Sequence, residues 1–180
     1  MNTIQCIKTR RSVRKYTDEP VEHEILNKIV EAASYAPSWK NTQIVRYTMI
    51  ENRALIEKIA DEAVLGFVYN AKTIGRSKIL AVQTVVRGLS GYEQDGTFST
   101  DKGAGWEMYD AGISAQTFCL AAHEYGVGTV IMGIFDAEKI GQFLQIPKDQ
   151  VVTAVIAMGQ PAEERDAPKR RSIEELVRFL

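Results

Sequence analysis

The sequence predicts an α+β fold, a mostly antiparallel sheet flanked by helices, on three observations. Helical and strand periodicities intermix along the chain without the strict βαβ repeat that would signal a parallel sheet. The 180 residues carry 45% hydrophobic side chains, enough to bury a core in a single domain spanning 1–180. No apolar run reaches the roughly 18 residues that a bilayer crossing demands, so the elements must bury their apolar faces on one another.

In chain order, a short helix is predicted around Asn2–Thr9, followed by a basic segment. Ile25, Leu26, Ile29, Val30 and Ala33 then repeat at helical spacing behind Pro20, and this helix ends near Pro37. The β-branched run Ile44–Ile50 reads as a strand, and Asn52 as the N-cap of a helix carrying Leu55, Ile56, Ile59 and Ala63. A second strand falls within Ile79–Val86. Gly88–Gly105, rich in Gly, Ser, Thr and Asp, reads as a long surface loop of the kind that borders sites. The next helix is placed over about Trp106–Tyr125, with Ile113, Thr117, Leu120 and Ala121 on its buried side. Its small residues Ala111, Gly112, Ser114 and Ala115 permit close approach of another backbone. Gly128–Met132 reads as a strand, Asp136 caps a helix through Leu144, and Val151–Met158 is a buried strand. Ser172-x-x-Glu175 is a capping box that opens a terminal helix.

Composition narrows the function classes. A formal net charge of −1 argues against nucleic acid or an acidic membrane as partner. The first eight residues lack a continuous apolar stretch, and the chain is read as a soluble cytoplasmic protein. Two cysteines, Cys6 and Cys119, are too few for a disulfide framework or a four-thiol zinc site; both are read as reduced, and Cys119 as a core residue. His23 and His123 lack ligand spacing and are read as ordinary helix residues, so no metal is expected. Gly126-x-Gly128 is not a dinucleotide fingerprint, and no Gly-x-Ser-x-Gly nucleophile elbow is present.

One segment carries charge of a useful kind. Arg10-Arg11-Ser12-Val13-Arg14-Lys15 offers guanidinium forks beside a hydroxyl, which is what a terminal phosphate requires. On composition alone the same residues suit a solvated basic face. Lys169-Arg170-Arg171, just before the capped terminal helix, bears on the question only if the fold brings the two groups together.

Taken with Tyr16 and with Ala36-Pro37-Ser38-Trp39-Lys40-Asn41-Thr42-Gln43, the basic segment resembles the opening of the nitroreductase family. The resemblance continues through Gly126–Thr129, Met132-Gly133-Ile134-Phe135-Asp136 and Gly159-Gln160-Pro161 to Lys169–Glu175, and Gly66–Gly105 is its least assignable part.

The resemblance implies a nitroreductase-like sandwich in an interlocked homodimer that holds FMN without a covalent bond. Residues matching Arg10, Arg11, Ser12 and Arg14 would serve the phosphate, ribityl chain and pyrimidine edge, with Lys169 and Arg171 as the late basic pair. Lys15 and Arg170 are read as solvated. Pro37, Ser38, Trp39, Asn41 and Gln43 match the segment that reaches the flavin of the other subunit, which makes the sites composite. Without the rest of the pattern, that segment reads as a helix-ending loop with an exposed tryptophan. Where a strand end meets a helix start, at Ile131, Met132 and Gly133, backbone N–H groups could face flavin N5. Many family members place an acidic residue where this chain has Met132, so a side-chain role there is in question. Asn70 is either a pyrimidine contact or an exposed turn residue. The implied activity is ping-pong transfer of electrons from NAD(P)H through FMN to small electron-poor acceptors such as nitroaromatics or quinones, with no protein acid or base as catalyst. The alternatives are a flavin-binding or sensing protein without NAD(P)H turnover, and a flavin, quinone or enone reductase on the same scaffold.

Overall fold

A computed structural model describes Met1–Leu180 in full. The helices are α1 (Thr3–Thr9), α2 (His23–Ser34), α3 (Arg53–Glu62), α4 (Val68–Arg76), α5 (Gly105–Glu124), α6 (Ala137–Leu144) and α7 (Ile173–Leu176). The strands are β1 (Val45–Ile50), β2 (Ile79–Val86), β3 (Gly128–Met132) and β4 (Gln150–Gly159). They form one four-stranded sheet in the order β1-β2-β4-β3, antiparallel throughout.

Strand periodicity puts helices on both faces of the sheet. Leu80 and Val82 of β2, with Val155 and Ala157 of β4, pack beneath α3, α4 and α6 through Ile56, Ile59, Ile74 and Ile140. Ile79, Ala81, Ile156 and Met158 point to the opposite side, against Leu26 and Ile29 of α2 and Phe118 and Cys119 of α5. Because both faces are covered, β2 is buried along almost its whole length and is apolar but for Gln83 and Thr84. One extra residue in β4, opposite Gln83/Thr84, shifts the register and moves Val152 onto the same face as Val155.

Local signals set several boundaries. Asn2, Asn52 and Asp136 each accept a backbone N–H with their side chains at the starts of α1, α3 and α6. The Ser172/Glu175 capping box forms, but α7 is only one turn long and wholly exposed. No helix is long and apolar enough to cross a membrane.

Two expectations are corrected. In α5 the buried stripe is Glu107, Asp110, Ala111, Ser114, Ala115, Phe118, Cys119 and Ala122, whereas Ile113, Thr117, Leu120 and Ala121 are only half-buried. Apolar residues surround this helix, so periodicity cannot choose its inner face; stacking of Phe118 on Tyr47, centroids 4.8 Å apart, and the approach of α2 decide it. Three of the small residues thereby serve a contact within the chain: Ser114 Oγ lies 3.5 Å from Ala33 O. The second correction is α4, which occupies the least assignable stretch and makes Asn70 a helix residue rather than a turn residue. Gly88–Gly105 is a loop as expected, although Ser90 and Gly91 are buried inside it.

Candidate functional site

The sheet ends at β3, and the two halves of its free edge are treated differently. Val13 N–H donates to Thr129 O at 2.9 Å, and Ser12 bridges Thr129 in a parallel sense, so the basic segment lies along the first half of that edge. The fit is close: a Cβ on Gly128 would stand 2.8 Å from Val13 Cβ. Farther on, Thr17 N–H donates to Gln160 O and Ala162 N–H to Lys15 O, tying the same segment to the end of β4. Tyr16 sits beneath it with its hydroxyl 2.7 Å from Val13 O and 3.0 Å from Ala157 O. No bridge of this kind covers Ile131–Gly133, which border a hollow.

That hollow, about 630 Å³, is lined by Arg14, Lys15, Phe67, Tyr69, Asn70, Lys72, Thr73, Arg76, Val130–Ile134 and Arg165. Five of these side chains are cationic and none is a carboxylate. Asn70 Nδ2 donates to Ile134 O at 2.9 Å and so fixes the turn after β3. Open space surrounds the position of a Cβ on Gly133. A second hollow of about 390 Å³ holds Arg10, Arg11, Thr9, His123, Gly126–Thr129, Pro161 and Glu163–Arg165, and Arg165 is the residue the two share. Arg11 gives one terminal nitrogen to Lys8 O and Arg10 O at 2.7 and 2.8 Å, while its Nε is buried without a partner. Arg14 reaches Ser12 O at 3.2 Å.

The expected residues thus fall into separate groups. Arg14, Asn70, Ile131, Met132 and Gly133 share the first hollow, and Arg10 and Arg11 occupy the second, with Ser12 between them on the strand edge. Lys169 and Arg171 join neither. They lie in an exposed tail, where Arg171 pairs with Glu175 at 3.5 Å. The late residue that does reach the site is Arg165, bonded to Glu163, which also pairs with Lys15 at 2.8 Å. A charged Glu-Glu-Arg run just past Pro161 was the signal, but it looks like any solvated turn.

Pro37, Ser38 and Gln43 line a third hollow of about 350 Å³ that shares no residue with the other two; Val30, Ala33, Arg46, Tyr47, Asp110 and Ser114 are among the other residues of its wall. Trp39 is not exposed. It packs on Trp106, centroids 4.6 Å apart, and its backbone N–H donates to the Asp110 carboxylate at 3.0 Å. Lys40, Asn41 and Gln43 all adopt left-handed φ values, 45°, 57° and 49°, a conformation costly for Lys and Gln and tolerated by Asn. Ser38 holds the turn by accepting Gln43 N–H on Oγ at 2.9 Å. Buried Asp110 is the residue that sequence reasoning missed; a carboxylate amid small residues of an apolar helix was its only signature.

Protonation states fit binding rather than nucleophilic chemistry. Burial pushes both the Cys119 and Cys6 thiols up, so neither is a thiolate at neutral pH. Burial, aided by Arg10, lowers His123, which is therefore neutral near pH 7 and lies 2.8 Å from Thr9 Oγ1.

A cationic hollow with aromatic walls beside a free sheet edge has the chemistry that suits an anionic aromatic molecule. Comparison with known proteins shows the family. The nitroreductase family model matches residues 7–160. An FMN reductase (NAD(P)H) of Bacillus subtilis is 31% identical, over 97% of this chain and 71% of its own. An NADH dehydrogenase of Thermus thermophilus is 30% identical, over 93% of this chain and 91% of its own. Among solved structures, an FMN-dependent nitroreductase from Clostridium difficile superposes with a TM-score of 0.79 at 25% identity, covering 98% of both chains. The chain belongs to the nitroreductase family.

Proposed function

We propose that this protein is an FMN-dependent oxidoreductase that takes electrons from NAD(P)H and passes them to small electron-poor acceptors such as nitroaromatics or quinones. The observation that carries the reading is the carboxylate-free basic hollow along the uncovered half of β3, joined through Arg165 to a second hollow holding Arg10 and Arg11.

The residues present fit FMN. The buried, unpartnered Arg11 Nε is a donor without an acceptor, and Arg10 beside it adds a second guanidinium suited to a phosphate. When bound, FMN supplies a ring that takes up hydride at N5 and returns electrons to a second substrate. Arg14 sits in the larger hollow, where a fixed cation favours negative charge on the pyrimidine edge. Asn70 fixes Ile134, and Ile131–Gly133 border the same space, with open room at Gly133 where a backbone N–H can meet a ligand. Met132 is buried in the core, so its contribution is confined to its backbone. The names of the relatives, an FMN reductase and an NADH dehydrogenase, support the cofactor and the donor.

The working unit in this reading is a homodimer with composite sites. Its support is the third hollow, which lies apart from the other two, and the face of α5 with Met108, Tyr109 and Gly112 exposed and Ile113 and Thr117 half-covered. Lys169 and Arg171 lie in a tail whose Ile173, Leu176, Phe179 and Leu180 are all exposed, as a segment that packs on a second copy would be. The deciding experiment is the absorption spectrum of purified protein followed under anaerobic NADH and NADPH. Flavin bands that bleach support the reading. Bands that persist identify a flavin-binding protein without turnover, and protein that shows no bands after FMN addition refutes it.

A further inference from the structure

We infer that Lys72 and Arg76 recognise the ribose 2′-phosphate of the electron donor and so select NADPH over NADH, an inference that rests on the oxidoreductase reading above. The two cations stand one turn apart on α4 and line the same hollow as Arg14, Asn70 and Gly133. Lys15 and Arg165, also in its wall, share the carboxylate of Glu163, but neither Lys72 nor Arg76 is ion-paired. Arg76 further borders a neighbouring hollow with Lys15, Arg53 and Lys78, where the one carboxylate, Asp18, is bonded to Lys78. The positive ground therefore extends outward from the proposed flavin position. Its position at the helix C-terminus accounts for a cation at Arg76, though not for Lys72 in mid-helix facing the same space.

The flavin phosphate does not need Lys72 or Arg76, and Arg14 supplies a cation for the ring. That single phosphate is matched by Arg10 and Arg11 in a separate hollow, to which Lys72 and Arg76 do not contribute. The donor brings more: NADPH carries a 2′-phosphate of about −1.5 to −2 charge at pH 7, where NADH has a hydroxyl. Proteins that prefer NADH commonly set a carboxylate against that hydroxyl, whereas basic side chains accept the phosphate. This hollow contains no carboxylate, and at its rim Phe67 and Tyr69 stand 5.5 Å apart with Tyr69 75% exposed, a surface on which an adenine can stack.

The test uses purified wild-type protein and the Lys72→Gln and Arg76→Gln variants. Calorimetric titration with 2′,5′-ADP and with 5′-AMP reads the phosphate site directly, with and without bound FMN. Flavin content and kcat/KM for both donors are measured alongside. The wild type should bind 2′,5′-ADP at least about tenfold more tightly than 5′-AMP, and each variant should lose about tenfold in 2′,5′-ADP affinity and in the NADPH-to-NADH ratio of kcat/KM. Flavin content should be unchanged. Equal affinity for the two nucleotides, a wild-type preference for NADH, or loss of FMN from the variants overturns the inference, the last by assigning these cations to the flavin. Protein that shows no flavin bands refutes the oxidoreductase reading instead, and the titration alone then judges the phosphate site.

Discussion

The backbone N–H of Trp39 donates to the carboxylate of Asp110, 71 residues away in the chain, at 3.0 Å, and Ser90 Oγ donates to the same group at 2.7 Å. One buried side chain on α5 therefore anchors both the Pro37–Gln43 loop and the start of the Gly88–Gly105 loop. Asp110→Ala would leave two donors, the Trp39 N–H and the Ser90 hydroxyl, without their acceptor. It should cost about 2–4 kcal/mol of folding stability, against about 1 kcal/mol for Asp110→Asn, which keeps one acceptor. Urea denaturation measures both, and equal midpoints for Asp110→Ala and wild type would show that the two loops are held by packing alone.

Retention of FMN should separate the cations of the early segment. Arg10→Ala should weaken it by about tenfold or more, because it removes a charge-assisted partner of the phosphate. Lys15→Ala should change it little: Lys15 is half-exposed and already paired with Glu163 at 2.8 Å. Arg14→Ala should fall between the two. Fluorescence titration of apoprotein provides the comparison, and equal affinities for the three would remove the early segment from the site.

At Gly133 the surrounding space is open, so Gly133→Val should leave the free protein folded and stable. With FMN in place the added side chain competes for the room in front of the backbone, and stopped-flow bleaching by NAD(P)H should slow by about tenfold or more. A wild-type rate in fully loaded variant would show that this turn does not face the ring.

Stability should fall at alkaline pH through Tyr16. Burial holds its phenol well above the usual tyrosine range, with Arg14 opposing weakly, and burial raises Tyr47 in the same direction. The unfolded chain releases these protons near pH about 10 while the folded chain keeps them, so the contribution is whole below that pH and declines above it. Tyr16→Phe should cost about 1 kcal/mol at neutral pH, since Val13 O and Ala157 O lose a shared donor, and should flatten the alkaline decline. Denaturation at pH about 8 and about 11 measures both effects; an unchanged slope in the variant would place the alkaline sensitivity elsewhere.

What the sequence disclosed follows from how local each signal is. Asn52, Asp136 and the Ser172/Glu175 box act on backbone within three residues, and β2 needs only its own apolar run, so these elements were legible. The inner face of α5 was not, because with apolar residues all round it the choice belongs to Tyr47 and α2, which are distant in sequence. The same reasoning covers the site. Arg10, Arg11 and Arg14 announce themselves by type and spacing, whereas Asp110 acquires its role only when the fold brings Trp39 and Ser90 to it, and Arg165 only when Lys15 comes to the adjacent Glu163.

The composite site can be tested by mixing two defective proteins. If each flavin lies between subunits, an Arg10 variant and an Asn41 variant damage opposite halves of one site. Asn41 has φ 57°, so Asn41→Gly removes the amide without straining the turn, whereas alanine would disturb it. Arg10→Ala is its partner variant. In a two-fold mixed dimer one site carries both lesions and the other carries neither. Random reassociation makes about half of the dimers mixed, each with one intact site, so about a quarter of wild-type turnover should return. The variants are denatured and refolded together, then compared with each refolded alone, with folding and dimer formation checked by circular dichroism and sedimentation. If mixed dimers form and no turnover returns, the Pro37–Gln43 loop serves its own subunit's flavin or none, and the separation of the third hollow from the other two has a different cause.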